Sequence, residues 1–140
     1  MRRLHPAVTL VAAALALGGC TGQTSSSSGD FEGAEADVAK VVDDLSSAGT
    51  SADGEEICTK LLSRELADSL KAGDADCADQ MQETIQDVND FALDVTDVTV
   101  TGTTATATVR QGDDDDDDAK TAEFEFAREG ETWRVTSFGS

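Results

Sequence analysis

Among the side chains that could do redox or metal chemistry in this chain, the cysteines are the most informative. The three thiols are Cys20, Cys58 and Cys77. Cys58 and Cys77 lie nineteen positions apart, which is not the C-x-x-C spacing of thiol redox motifs, and no further suitable ligands stand near them to complete a metal site. We therefore predict that these two cysteines form a structural disulfide, with a redox pair and a metal site as the alternatives.

A run of six aspartates is the second feature with candidate chemistry. Its carboxylates could supply the oxygen ligands, at about 2.3–2.6 Å, that a hard cation such as Ca²⁺ requires. The run has neither the alternating ligand spacing nor the internal glycine of a cation-binding loop, and its like charges repel one another. We expect a solvated hairpin tip, with weak cation binding as the alternative, and the candidate ligands are Asp113, Asp114, Asp115, Asp116, Asp117 and Asp118.

Two further sets of residues are candidates for a site. Asp94 and Asp97 flank the start of a predicted strand and could form an acid–base pair, although chance proximity of carboxylates is common in so acidic a chain. Small side chains on the inner face of a predicted sheet could leave room for a ligand against aromatic rings, or could let a helix approach closely. The candidate pocket residues are Ala105, Ala107, Phe124, Phe126 and Trp133.

The first nineteen residues have the features of an export signal. Arg2 and Arg3 precede an apolar run of about eleven residues, which is too short to cross a bilayer core of about 30 Å as a helix. The sequence "LGGC" that follows resembles the lipobox of bacterial lipoprotein precursors. This resemblance implies cleavage after Gly19 and attachment of a diacylglyceryl group to Cys20, and two acyl chains hold a protein firmly on a membrane. We expect a lipid-anchored protein on the extracytoplasmic face of the cell membrane.

Composition excludes several classes of function. The chain has 29 acidic and ten basic residues, a net charge of −19, and loss of residues 1–19 would leave eight basic residues and a net charge of −21. Such a charge repels nucleic acid, which we exclude as a partner. The only histidine, His5, lies in the signal, and the chain has no tyrosine. Most zinc and Ser–His constellations are therefore ruled out, and we expect a non-enzymatic protein without a cofactor.

The chain divides into three parts. Residues 1–19 are the predicted signal peptide, residues 20–30 the lipidated cysteine and a flexible Ser/Gly tether, and residues 31–140 a single domain. In this domain Val38, Val41, Val42 and Leu45 have helical spacing. Three shorter helices are expected to follow, and their predicted starts are a capping box of Asp53 and Glu56, then Ser63, then Asp74 or Asp76.

The pattern then changes from helix to strand. Val98 and Val100 alternate with polar residues, while Val95 has the wrong parity for their face and indicates a bulge. Turns are predicted at Gly102-Thr103 and Glu129-Gly130, with alternating strands on either side. Strict alternation indicates a sheet with one face covered, and only the helices can cover it. We therefore predict an α+β domain in which N-terminal helices cover one face of a four-stranded antiparallel meander.

Four segments together resemble small bacterial lipoproteins with a nuclear-transport-factor-2-like (NTF2-like) domain. They are "CTKLLSREL", the second cysteine after "LKAGDAD", "VTDVTVTGTTATATV" and "FAREGETWRVTSF". The resemblance implies a curved, cone-like sheet that wraps a helix around a pocket. It does not extend to isomerase chemistry, because the tyrosine that the isomerase members use is missing. The partner that we expect, besides the membrane, is a protein or small-molecule ligand bound without catalysis. An enzyme with buried carboxylates and a weak Ca²⁺-binding surface protein are the alternatives.

Overall fold

The computed structural model describes residues 27–71, 73–88, 91–112 and 119–139. These residues form four helices and one four-stranded antiparallel sheet, which confirms the predicted α+β class. The predicted signal peptide, Cys20 and the six aspartates lie outside the described residues. Within the described residues, no helix combines the length and the apolar character needed to cross a bilayer.

The longest helix, α1 (Gly33–Thr50), follows the predicted apolar stripe. Val38, Val42 and Leu45 are at most 2% exposed, because residues spaced three or four apart lie on one face of a helix. This face packs against the first, second and fourth strands of the sheet. Phe91 packs directly on Gly49 near the end of the helix, where a Cβ atom would overlap the aromatic ring.

Three short helices follow, each with the predicted residue at its N-terminus. In α2 (Gly54–Glu56), α3 (Arg64–Ser69) and α4 (Cys77–Gln86), the side chains of Asp53, Ser63 and Asp76 accept hydrogen bonds from backbone N–H groups of the first turn, at 2.9–3.1 Å. The second helix is shorter than the sequence pattern suggests. It passes into a π-helical turn, Ile57–Leu61, before the chain extends.

One contact between helices depends on a glycine, and it gives a first prediction. A Cβ atom at Gly54 would meet backbone atoms of Ala78 and Gln82 on α4. Overpacking costs about 1–3 kcal/mol, which exceeds the roughly 1 kcal/mol that alanine gains over glycine in a helix. We therefore expect Gly54→Ala to lower the urea midpoint of unfolding. Gly29→Ala is the control, since a Cβ atom there meets nothing within 4 Å. Equal midpoints for the two variants would contradict this close packing.

The sheet is a simple meander. Its strands, in spatial order, are β1 (Leu93–Thr101), β2 (Thr104–Gln111), β3 (Lys120–Glu129) and β4 (Thr132–Phe138). The register shifts between Val95 and Asp97, which confirms the predicted bulge. A second shift, which inserts Thr136 into β4, was not predicted. The sheet is open, with β1 and β4 as its edges, so the α+β class is confirmed, whereas the cone-like, NTF2-like form of the sheet is not.

Each edge strand is partly covered by other segments. On β4, Ser63 donates its backbone N–H to the carbonyl of Val135 at 2.8 Å, so the chain after the π-helical turn extends the sheet locally. On β1, Ser46 of α1 accepts the N–H of Leu93 at 3.1 Å and donates to the Phe91 carbonyl at 3.1 Å. Such contacts satisfy backbone groups that an uncovered edge would leave without partners.

Candidate functional site

The five residues predicted as a pocket come together, but they do so in the hydrophobic core. All of them are at most 8% exposed: Ala105, Ala107, Phe124, Phe126 and Trp133. Across strands β2 and β3, Ala107 pairs with Phe124 and Ala105 with Phe126. Small residues therefore stand beside large ones, and the aromatic rings fill the inner face. A depression of 340 Å³ borders Ala105 and Phe126, but most of its lining is formed by threonines and Glu125.

The predicted pairing of cysteines is confirmed. Cys58, in the π-helical turn, and Cys77, the first residue of α4, form a disulfide with Cα atoms 6.0 Å apart. Cys20 lies outside the described residues. The six aspartates do as well, and β2 and β3 flank the run as the sequence pattern predicted.

A groove of 980 Å³ borders this disulfide. We call it the α3–α4 groove, because one face of each helix forms one of its walls. Arg64, Ala67, Asp68 and Lys71 line it from α3 and the residues after α3, and residues 76–79 and Gln82 line it from α4 and its N-cap. The lining residues are Ser51, Ala52, Asp53, Gly54, Glu55, Cys58, Thr59, Leu62, Arg64, Ala67, Asp68, Lys71, Asp76, Cys77, Ala78, Asp79, Gln82, Glu129 and Arg134.

Two of the basic groups of the groove are bound within the domain. The Lys71 ammonium donates a hydrogen bond of 2.7 Å to Asp68 Oδ1, which holds the pKa of Asp68 below its usual value and raises the pKa of Lys71. The guanidinium of Arg134, on β4, donates through Nη1 to the carbonyl of Thr59 at 2.8 Å. This second bond attaches the π-helical turn to the sheet.

Three acidic side chains of the groove have no such partners. Glu55, Asp79 and Glu129 are exposed, and none forms a side-chain hydrogen bond or an ion pair with another described residue. By contrast, Asp53 and Asp76 cap α2 and α4 with one carboxylate oxygen each. We call the buried lining residues, Gly54, Leu62 and Cys77, the floor of the groove. This floor is apolar, whereas the unneutralised carboxylates are exposed.

A second cluster lies at the opposite edge of the sheet, where the chain enters the domain. We call it the Ser27 clasp. The side chain of Ser27 is 3% exposed, and its hydroxyl accepts the N–H of Val95 at 3.0 Å and donates to Asp94 at 2.9 Å. Asp43 on α1 accepts the N–H groups of Ser27 and Ser28 at 3.0 and 2.9 Å. These bonds attach a 3₁₀ turn (Ser27–Asp30) to the domain, although the sequence analysis assigned its residues to the flexible tether that ends at residue 30.

One of the two candidate acid–base carboxylates, Asp94, is part of the clasp. Asp94 accepts a hydrogen bond of 3.1 Å from the Arg110 guanidinium as well as the one from Ser27. Asp97 lies exposed beyond the bulge and forms no side-chain bond with another described residue. Asp94 is therefore used as a structural acceptor. Among the described residues, no group of three or more His, Cys, Asp or Glu side chains is arranged to hold a metal ion.

Removal of the Ser27 hydroxyl should loosen this entry point. We expect Ser27→Ala to lower the free energy of unfolding by about 1–3 kcal/mol, because the buried N–H of Val95 loses its acceptor and Asp94 loses a donor. Hydrogen exchange at the Val95 amide should accelerate as well. Ser47→Ala, at an exposed position of α1, serves as the control and should change neither quantity. Unchanged exchange at Val95 in Ser27→Ala would contradict the clasp.

The comparisons with known proteins concern the fold. No protein-family model matches the chain, and no curated protein sequence matches it significantly. Among solved structures, the chain is similar to a SEC-C motif containing protein from Rhodopseudomonas palustris, determined in solution. The TM-score is 0.56 and the sequence identity 13%, over 71% of this chain and 75% of that chain. At this identity the similarity describes a shared arrangement of helices and strands.

Proposed function

We propose that this chain is a lipid-anchored, extracytoplasmic binding domain without catalytic activity, and that the α3–α4 groove is its binding surface. The observation that carries the proposal is this groove of 980 Å³ on a domain whose inner sheet face is filled by its own side chains. Concave surfaces of this size, with an apolar floor and a few polar groups, are the usual places for ligands to bind.

The anchoring part of the proposal rests on the sequence. A basic start, a short apolar run and the "LGGC" sequence precede a polar segment, as in a lipoprotein precursor. The disulfide between Cys58 and Cys77 supports the extracytoplasmic location, because disulfides persist in oxidising compartments. The NTF2-like relationship belongs to the proposal too. A long helix that packs across an antiparallel sheet supports it.

Anchoring is tested by expression of the full chain in a bacterium supplied with an alkyne-labelled fatty acid. The wild-type protein should take up the label, sediment with membranes and begin at Cys20 by intact-mass analysis. The Cys20→Ala variant should lose the label and remain unprocessed. An unmodified precursor in the soluble fraction of wild-type cells would refute this part of the proposal.

Binding at the groove is tested by a photo-crosslinking amino acid placed at Gln82, on the α4 wall, in cells of the host. We expect discrete crosslinked products from this position. Thr121, exposed on β3 and outside the groove, is the matched control position. Products of equal yield from both positions, or from neither, would contradict a binding role for the groove.

A further inference from the structure

The chemistry of the α3–α4 groove identifies the kind of partner that it fits. Six carboxylates and three basic side chains line it. Two of the three basic groups are already bound, Lys71 by Asp68 and Arg134 by the Thr59 carbonyl. Three carboxylates, those of Glu55, Asp79 and Glu129, have no partner among the described residues. The groove therefore presents uncompensated negative charge.

The floor of the groove is apolar where the rim is charged. Leu62 and Cys77 are buried, and Cys58, Ala67 and Ala78 are half-buried, whereas the carboxylates of the groove are exposed. Lysine and arginine side chains have a long aliphatic stem with a charged end, so they bury the stem on apolar surface and keep the charge at a polar edge. An apolar floor below a carboxylate rim is complementary to this shape.

The net charge of the whole chain also favours a basic partner. A net charge of −19 attracts cationic partners and repels acidic ones, with steering that weakens as salt increases. The length of the walls limits how much of a partner fits. The ten residues of α4 make a wall about 15 Å long, which spans about four or five residues of an extended peptide.

We propose that the α3–α4 groove binds a short basic segment of another polypeptide, with lysine or arginine stems on the disulfide floor and their charged ends at Glu55, Asp79 and Glu129. This inference rests on the proposed function, since it names the partner of the same groove. It goes beyond that proposal because it fixes the sign and the chemical class of the ligand.

The test uses the full chain in nonionic detergent and three fluorescent twelve-residue peptides. In these peptides alanine alternates with lysine, with glutamate or with glutamine, and binding is followed by anisotropy at low and at physiological salt. The groove variant is Glu55→Gln/Asp79→Gln/Glu129→Gln. The matched control carries Glu35→Gln/Asp37→Gln/Glu123→Gln, which removes the same charge from exposed positions outside the groove.

We expect the lysine peptide to bind the wild-type chain most tightly. The groove variant should weaken this binding about tenfold, and the control variant less than about twofold. Equal weakening by both variants would show attraction by bulk charge alone and would overturn the inference. Tighter binding of the glutamine or glutamate peptide, lost in the groove variant, would also overturn it while the proposed function stands. Crosslinks absent from Gln82 would instead remove the proposed function itself.

Discussion

Replacement of both Cys58 and Cys77 by serine is expected to lower the free energy of unfolding by about 3 kcal/mol. The disulfide closes a loop of about twenty residues, and it removes conformational freedom from the unfolded chain in proportion to the logarithm of that length. The bond also joins the π-helical turn to the first residue of α4. Loss of the disulfide should therefore loosen the attachment of the π-helical turn to α4.

Urea unfolding followed by the fluorescence of the single tryptophan, Trp133, measures this effect, since the ring is buried in the core. The wild-type chain treated with a reductant should match the double serine variant. The Cys20→Ser variant should retain wild-type stability, because that thiol is outside the predicted bridge. An unchanged midpoint in the double variant would mean that the disulfide contributes nothing to the fold. Because Cys58 and Cys77 line the groove, peptide binding should fall together with stability.

Truncation of Phe126 to alanine should cost about 3–5 kcal/mol, the largest effect expected from a single substitution in this domain. Its side chain is 1% exposed and faces Ala105 across the strand pair. Truncation of a phenylalanine that lined an open pocket would lower the free energy of unfolding much less, because water already touches one side of such a ring. The measured value therefore decides between core packing and a ligand platform on the inner sheet face.

The matched control is Phe138→Ala, whose side chain is 37% exposed and stacks edge-on against Phe124 at 5.1 Å between ring centroids. We expect a loss of about 1 kcal/mol there. Phe126→Leu should fall between the two and keeps the measurement feasible if the alanine variant unfolds. A cost for Phe126→Ala no larger than that for Phe138→Ala would contradict the packed core.

Local patterns in the sequence predicted most of the architecture. The apolar spacing of Val38, Val42 and Leu45 placed α1, and three polar caps placed the starts of the short helices, since these signals depend on residues close in the chain. The parity of Val95 predicted a bulge for the same reason. The turn between β3 and β4 centres on Gly130, whose φ of 67° favours glycine, and lies one residue beyond its predicted place.

The features missed by sequence reasoning depend on contacts between distant residues. Ser27 belongs to a serine run, and nothing in its neighbourhood indicates that its hydroxyl bonds to Val95, sixty-eight positions away. The groove is another case, because α3, α4, the disulfide and Arg134 of β4 come together only in the folded domain. The sequence does carry a partial signal for the groove. Arg64, Ala67, Asp68 and Lys71 follow helical spacing, and a polar helix face of this kind is commonly solvated.

If Cys20 carries the proposed lipid anchor, the Ser27 clasp would limit how far the domain can lie from the membrane. Only six residues separate Cys20 from Ser27. A segment of this length spans about 25 Å when fully extended, and a flexible chain of the same length spans about 15 Å on average. The clasp attaches Ser27 to β1, while the groove borders β4. These two edges of the sheet are three strand spacings, or about 14 Å, apart. A domain anchored in this way would be held at one edge of its sheet and would carry the groove at the other. Under the proposed anchoring, the groove would therefore meet only partners that come close to the lipid headgroups.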